Sequence, residues 1–549
     1  MRTIDAMALI LKKEGIEFLS AFPTTSVIEA IAATGVRPVI CRQERVGVHI
    51  ADGFARVTNG RKASVFAMQY GPGAENAYPG VATAFSDSVP MLFLPLGHPS
   101  ARESVTPMYS SLKSYDSVTK HIERINSPER VGASLRRAFS AMRLGKPGPA
   151  MLEIPADIAE MEVDGSVVDS YVPVKTAISG ADENDVMEAA KALLDAKRPL
   201  ILAGQGVLYA EASAELTELA ELLQIAVSTS MAGKSAFSET HPLSVGSVSE
   251  VMNGAGLDYM RESDVLFGIG TSFTIQGMVT PYPSGKIMIH ATNDPIDLHK
   301  DYIADHPLLG DARIVLRQMI DACKELLSTR QRKTQDTADR ISALRSAWYG
   351  EWESKLTSNE SPITPYRVLG EFMNRVDPSD AIVTHDSGSP RMQIMPFYRS
   401  DGPRSYLGWG KSHGLGTGLG LIMGAKLAKP EKFCVNFMGD AAFGMTGLDF
   451  ETAVRSNIPI CTVVLNNDDM AVEVPHMELS NDRFGSRALY GRYADMARAM
   501  GGWSERVDDP KDVGPALERA RKATEDGNSA LLEFVTSSEM AKSNLRAFS

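Results

Sequence analysis

Between residues 439 and 467 the chain reads GDAAFGMTGLDFETAVRSNIPICTVVLNN, with a Gly-Asp pair at one end and two adjacent asparagines at the other. The carboxylate of Asp440 and the side-chain amide oxygen of Asn467 are hard ligands. They suit Mg²⁺, which binds few protein oxygens and completes its shell with water and phosphate. Residues 433–438 are an apolar run ending at Gly439-Asp440, residues 448–456 carry a helical pattern, and residues 460–465 are a second apolar run ending at the asparagines. A right-handed crossover makes the two strands parallel. Asp440 and Asn467 are therefore expected at the same carboxyl edge of a sheet. The helix start beyond Asp440 offers unsatisfied N–H groups and a positive dipole end to a diphosphate.

A second acidic candidate lies near the other terminus. In VICRQERVGVHIADGFARVTNG (39–60) an apolar strand leads to Glu44 and a helical stretch. QYGPGAENAYPGVATAFSDSVPMLFLPLG (69–97) then reads as strand, Gly-Pro-Gly turn, helix and strand. A glutamate at a helix start is common because the dipole favours it, and Gly-Pro-Gly marks many turns. Their chemical meaning depends on Asp440. His98, His413 and His476 sit in loop-like stretches and titrate in a range useful for proton transfer.

Residues of this kind are carried at strand ends, and the chain has the pattern to carry them. Three α/β blocks alternate apolar strands with amphipathic helices, which predicts three consecutive parallel-sheet domains at 1–165, 185–325 and 360–537. Residues 164–184 lack periodicity and read as a linker; residues 327–359 are charged and read as a solvated helical connector. At 549 residues the chain exceeds a single core. The 44% hydrophobic and 23% charged content is that of a soluble globular protein, and a net charge of −12 argues against nucleic acid or an anionic membrane as partner. Four scattered cysteines and no CxxC pair fit a reducing cytoplasm. No run of eighteen apolar residues suggests a membrane span, and the amphipathic N-terminus reads as a first helix rather than a signal peptide.

Taken together, the Gly-Asp…Asn-Asn segment, Glu44 and the Gly-Pro-Gly turn resemble the thiamine diphosphate (ThDP) enzymes. The whole chain resembles the group of acetolactate synthase, pyruvate oxidase and benzoylformate decarboxylase. The resemblance implies a pyrimidine-binding, a central nucleotide-binding-like and a diphosphate-binding domain. It implies that Glu44 is catalytic, sharing a proton with the pyrimidine ring so that its exocyclic nitrogen can act as a base. It places Glu44, Pro72, Gly388, Ser389, His413, Leu415, Gly439, Asp440, Ala441, Ala442 and Asn467 around the cofactor. Asp440, Asn467 and the backbone carbonyl of Asp469 would hold Mg²⁺. Leu415, in LGWGKSHGLGTGLGLIMGA (407–425), would prop the cofactor into a bent shape, with the His413 carbonyl receiving its amine. A homodimer or homotetramer is implied, with Glu44 of one chain serving the metal site of another.

RQERVGVHIADGFARVTNG, STSMAGKSAFSETHPLSVG and MGDAAFGM are most similar to acetolactate synthase large subunits. The expected function is a carboligase acting on a small 2-oxo acid such as pyruvate; the alternatives are a 2-oxo acid decarboxylase, an acyloin lyase working through aldehydes, or a flavin-binding protein without ThDP chemistry. Five departures bear on the choice. Ala441 replaces a glycine, GTSFTIQ (270–276) lacks the family's arginine for a second oxo acid, His476 stands where a tryptophan is expected, SVTPMYSSLKSYD (104–116) lacks the family's phenylalanine–glutamine pair, and His98 replaces a glutamine. Two short glycine loops, GQGV and GTSF, are compatible with FAD in the central domain.

Overall fold

Runs rich in Val, Ile, Leu and Phe can hide both faces only inside a layered sheet, and they do so here three times. The structure, a computed structural model, describes residues 1–248, 252–275, 281–329, 336–412 and 414–543. The first sheet contains β1 (Phe18–Ala21), β2 (Arg37–Ile40), β3 (Val65–Met68), β4 (Leu92–Gly97), β5 (His121–Arg124) and β6 (Ala150–Pro155). The second contains β7 (Pro199–Ala203), β8 (Ala226–Thr229), β9 (Ser244–Ser247), β10 (Val265–Ile269), β11 (Ile287–Thr292) and β12 (His306–Leu309). The third contains β13 (Ala381–His385), β14 (Tyr406–Leu407), β15 (Phe433–Gly439), β16 (Cys461–Asn466), β17 (Trp503–Val507) and β18 (Ala530–Val535). Every pairing between these strands is parallel, and helices cover both faces, as an all-parallel sheet requires.

The outer sheets share one topology. The orders β2-β1-β3-β4-β6-β5 and β14-β13-β15-β16-β18-β17 are the same when each domain's strands are counted from its own first. The central order, β12-β11-β10-β7-β8-β9, is that of doubly wound nucleotide-binding sheets. Its strand order reverses between β7 and β10, where such sheets open a crevice at their carboxyl ends.

The first and third domains meet along two helices, Glu44–Val57 and Thr417–Ala428, packed backbone to backbone. A methyl on Gly53 would stand 2.1 Å from the Leu421 carbonyl oxygen, and one on Gly424 the same distance from that of Ile50. Only glycine permits this approach.

The segment expected to be a solvated connector differs from expectation. Its helix, Thr337–Leu356, buries Ile341 in the central core and stacks Trp348 on Phe397 of the third domain, with ring centroids 4.6 Å apart. It fastens two domains together. The expected single helix at 448–456 is instead a short 3₁₀ turn (Gly447–Asp449) followed by the helix Phe450–Arg455. Among the described residues no helix is long and apolar enough to cross a membrane.

Candidate active site

Glu44 opens its helix directly after β2 and the turn Cys41-Arg42-Gln43. That turn is held by the third domain: Arg42 N–H donates to Asp449 Oδ1 (2.7 Å) and Gln43 Nε2 to the Met445 carbonyl (3.2 Å). Burial pushes the Asp449 carboxyl up to about 6, although the Arg42 N–H and the Thr452 hydroxyl favour its charge. Glu44 itself is only 4% exposed. Its Oε2 accepts a hydrogen bond from Asn76 Nδ2 (2.5 Å), one turn into the helix Pro72–Ser86. Gly73 lies against the same carboxylate, where a methyl would stand 3.3 Å from Oε1. Glu44 and the Gly-Pro-Gly turn therefore meet in space. Pro72 occupies the first helical position, where its missing N–H is harmless.

The other half of the site is built at the carboxyl edge of the third sheet. Asp440, 3% exposed, accepts from Ala441 N–H at Oδ1 (2.8 Å) and from Asn467 N–H at Oδ2 (3.2 Å). The ends of β15 and β16 are thus tied together, as the crossover argument expects. Burial raises the Asp440 carboxyl to about 6 despite these donors. The two asparagines divide the work. Asn466 is buried and gives Nδ2 to Glu533 (2.9 Å), whereas half-buried Asn467 accepts the Asp469 N–H at Oδ1 (3.0 Å). The Asp469 carbonyl accepts from Ala471 N–H (2.9 Å) and retains a second lone pair. Half-buried Gly439 precedes the helix Asp440–Thr446. Ala441 is half-buried and Ala442 is packed in the apolar core, so only the backbone of Ala442 can face a ligand.

Gly388, at φ +87°, caps the helix Ser389–Phe397 opposite this edge. A Cβ on Gly388 or on Gly439 would meet nothing nearer than 3.8 Å, which leaves an open cradle between the two turns. Asp386, fully buried just after β13, accepts three backbone N–H groups at 2.8 Å, from Ser387, Gly416 and Gly418. Burial still lifts its carboxyl to about 6. These bonds fix the turn that presents Leu415, which is half-buried against the core. His413 lies outside the described residues.

Among the described residues Glu44 makes no hydrogen bond or ion pair with Asp440, Asn467 or Asp386. The His98 ring lies 4.5 Å from that of Tyr70, beside the Gly-Pro-Gly turn, whereas His476 sits on an exposed turn. Sequence reasoning missed Asn76, Asp386 and Asp449. Asp386 had a readable signal, a carboxylate three positions after the short apolar run 381–383. Asn76 and Asp449 had none, because their partners are 32 and 407 positions away. A cavity of about 860 Å³ opens at the carboxyl end of the central sheet; Asp87, Gln205, Ser272, Asp311 and Lys411 are among its walls.

Comparison with known proteins accords with this geometry. Residues 1–120 match the family described as "Thiamine pyrophosphate enzyme, N-terminal TPP binding domain", residues 186–319 its central domain, and residues 386–534 its C-terminal TPP binding domain. The chain is 29% identical over 547 residues to a protein of Methanocaldococcus jannaschii described as a probable acetolactate synthase large subunit (95% of this chain, 90% of the relative). It is 30% identical over 481 residues to the acetolactate synthase isozyme 3 large subunit of Escherichia coli (83% and 80%). It is 27% identical over 537 residues to the acetolactate synthase large subunit of Haemophilus influenzae (93% and 90%). The chain belongs to the thiamine pyrophosphate enzyme family and is an acetolactate synthase-like, ThDP-dependent enzyme.

Proposed function

We propose that this chain is a Mg²⁺-requiring carboligase that joins a fragment of a small 2-oxo acid, such as pyruvate, to a second carbonyl compound. The observation that carries the reading is the buried Glu44 carboxylate, oriented by Asn76 and flanked by Gly73. Such a group can hold a proton at a ring nitrogen while excluding water. The residues present fit the implied groups. Asp440, Asn467 and the Asp469 carbonyl form the hard oxygen set Mg²⁺ prefers, and the cradle between Gly388-Ser389 and Gly439 has room for a diphosphate. ThDP, when bound, supplies the carbon nucleophile for 2-oxo acid chemistry. Leu415 would set its shape, and Asp386 would hold Leu415 in place.

The units of this division of labour are 1–165, 185–325 and 360–537, and the working assembly is a homodimer or a pair of dimers. Large apolar side chains exposed beside both halves support this, among them Met445 at 52% and Phe484 at 82%. The central crevice fits FAD in size and in its glycine-lined switch point. Decarboxylation without ligation is favoured by one observation, the lack of any cation within 270–276. Protein loaded with ThDP and Mg²⁺ and fed pyruvate, alone and with an added aldehyde, decides between them. We expect release of CO₂ together with an acyloin or acetolactate. Release of CO₂ with free aldehyde as sole product would reverse the choice, and inertness toward a panel of 2-oxo acids would end both.

A further inference from the structure

Where the helix Thr337–Leu356 fastens the central domain to the third, a small cavity of about 20 Å³ lies between them. Three elements wall it: Arg345 and Tyr349 on that helix, Gly246 of β9, and Tyr398 and Arg399 directly after the helix Ser389–Phe397. The space holds one water-sized sphere.

The charges that face it are mostly of one sign. Among the described residues Arg345 and Arg399 make no ion pair. Their bonds run to backbone carbonyls, Arg345 Nη2 to Ser244, and Arg399 Nε and Nη2 to Glu239 (3.3 and 3.2 Å). The one carboxylate among the described wall residues, Glu239, is already engaged. Its Oε2 is ion-paired with buried Lys234 and accepts the Ser400 N–H (2.9 Å), while Oε1 accepts Ser247 Oγ (3.2 Å). Burial lowers the pKa of Arg345, and the neighbouring charge of Arg399 lowers it further. Tyr398 supplies the third group. It is 2% exposed, and its buried hydroxyl has no hydrogen-bond partner. Tyr349, by contrast, gives its hydroxyl to the Phe397 carbonyl (2.9 Å). A buried hydroxyl without an acceptor is costly, and so are partly desolvated guanidiniums without a counter-charge. One small anion relieves all three.

We propose that this cavity is a binding site for a single small monovalent anion of the chloride class, held by Arg345, Arg399 and the Tyr398 hydroxyl. A tetrahedral oxyanion such as sulfate is too large for the space. The bound anion ties the connecting helix to the far end of Ser389–Phe397, whose near end is capped by Gly388 at the cradle. It is a bridge between domains that neither domain completes alone.

The test uses full-length protein saturated with chloride-free ThDP and magnesium gluconate, so that the thiamine site is filled and no halide is present. Wild type, Tyr398→Phe and Arg399→Gln are titrated with sodium chloride, bromide or sulfate against gluconate at constant ionic strength, following thermal unfolding. Chloride and bromide should raise the wild-type unfolding temperature, since a ligand of the folded state stabilises it; sulfate should not. In gluconate Tyr398→Phe should unfold at the wild-type temperature or higher, because an unsatisfied hydroxyl has gone. It should nevertheless need about tenfold more chloride for the same rise. Arg399→Gln should need about ten- to a hundredfold more, the size expected for a charge-assisted bond. If Arg399→Gln fails to fold, Tyr398→Phe decides alone, since its hydroxyl has no partner to lose. An equal response to sulfate, equal chloride dependence in wild type and Tyr398→Phe, or no halide response in wild type overturns the proposal.

Discussion

Among the described residues the Glu44 carboxylate has one hydrogen-bonding side-chain partner, Asn76, and a glycine where any side chain would crowd it. Glu44→Gln keeps the shape and removes the proton-holding capacity. We expect it to fold and bind ThDP while exchange of the cofactor's C2 hydrogen with deuterium falls by about 10²–10⁴-fold; wild-type exchange by NMR would remove Glu44 from its assigned role. Asp440 predicts a metal effect. Chelation with EDTA should lower the unfolding temperature of the ThDP-loaded protein, since a ligand bound only to the folded state stabilises it. Asp440→Asn should unfold at the same temperature with and without chelator. Asp386 predicts a pH effect in cofactor-free protein. Its folded-state value, about 6, is raised above the ordinary carboxylate value near 3.9. The folded state therefore binds the extra proton between these limits, and its contribution is fully present below about 4 and lost as pH rises through 6. Wild type should gain up to about 2–3 kcal/mol relative to Asp386→Asn between pH 7.5 and 4. Urea unfolding at several pH values measures this, and a flat difference would refute it.

At the scale of elements, legibility follows where burial is two-sided. The runs at 433–438 and 460–465 became the strands Phe433–Gly439 and Cys461–Asn466, within a residue of those limits, because an all-parallel sheet leaves no polar face to blur the signal. Asp440 and Asn467 came to one edge because a strand–helix–strand crossover pairs its two strands in parallel, which brings both carboxyl ends to the same side. The helix Thr337–Leu356 was misjudged because charge dominates its composition, while two buried residues, Ile341 and Trp348, decide its packing. Phe450–Arg455 is shorter than expected because Gly447 turns the chain first, with the Phe443 ring where its side chain would be. The glycines of Thr417–Ala428 carry no sequence signal of their partner, because the helix they press against, Glu44–Val57, lies in another domain. Gly424→Val should lower stability by about 1–3 kcal/mol or more, as overpacking does. Denaturant unfolding checks this, and a neutral effect would mean the helices separate freely.

For the whole molecule, the shared strand order of the outer sheets was invisible in the residues, since topology is conserved through pattern rather than identity. The assembly yields a sharper test than size alone. If Glu44 serves the metal site of a neighbouring chain, mixing Glu44→Gln with Asp440→Ala should regenerate one intact site per mixed dimer. After subunit exchange this restores about a quarter of wild-type activity, since half of random dimers are mixed and each has one working site of two. No recovery, with exchange verified by mass, would place both groups in a single chain.

The backbone contact of Gly53 with Leu421, and of Gly424 with Ile50, removes any hinge along that seam. Polypeptide pressed against polypeptide cannot swing without breaking van der Waals contact over several turns. The outer domains must travel as one block during turnover, so any gate for substrate has to be sought in the surface loops. Amide exchange in Glu44–Val57 and Thr417–Ala428 should accordingly be among the slowest in the protein.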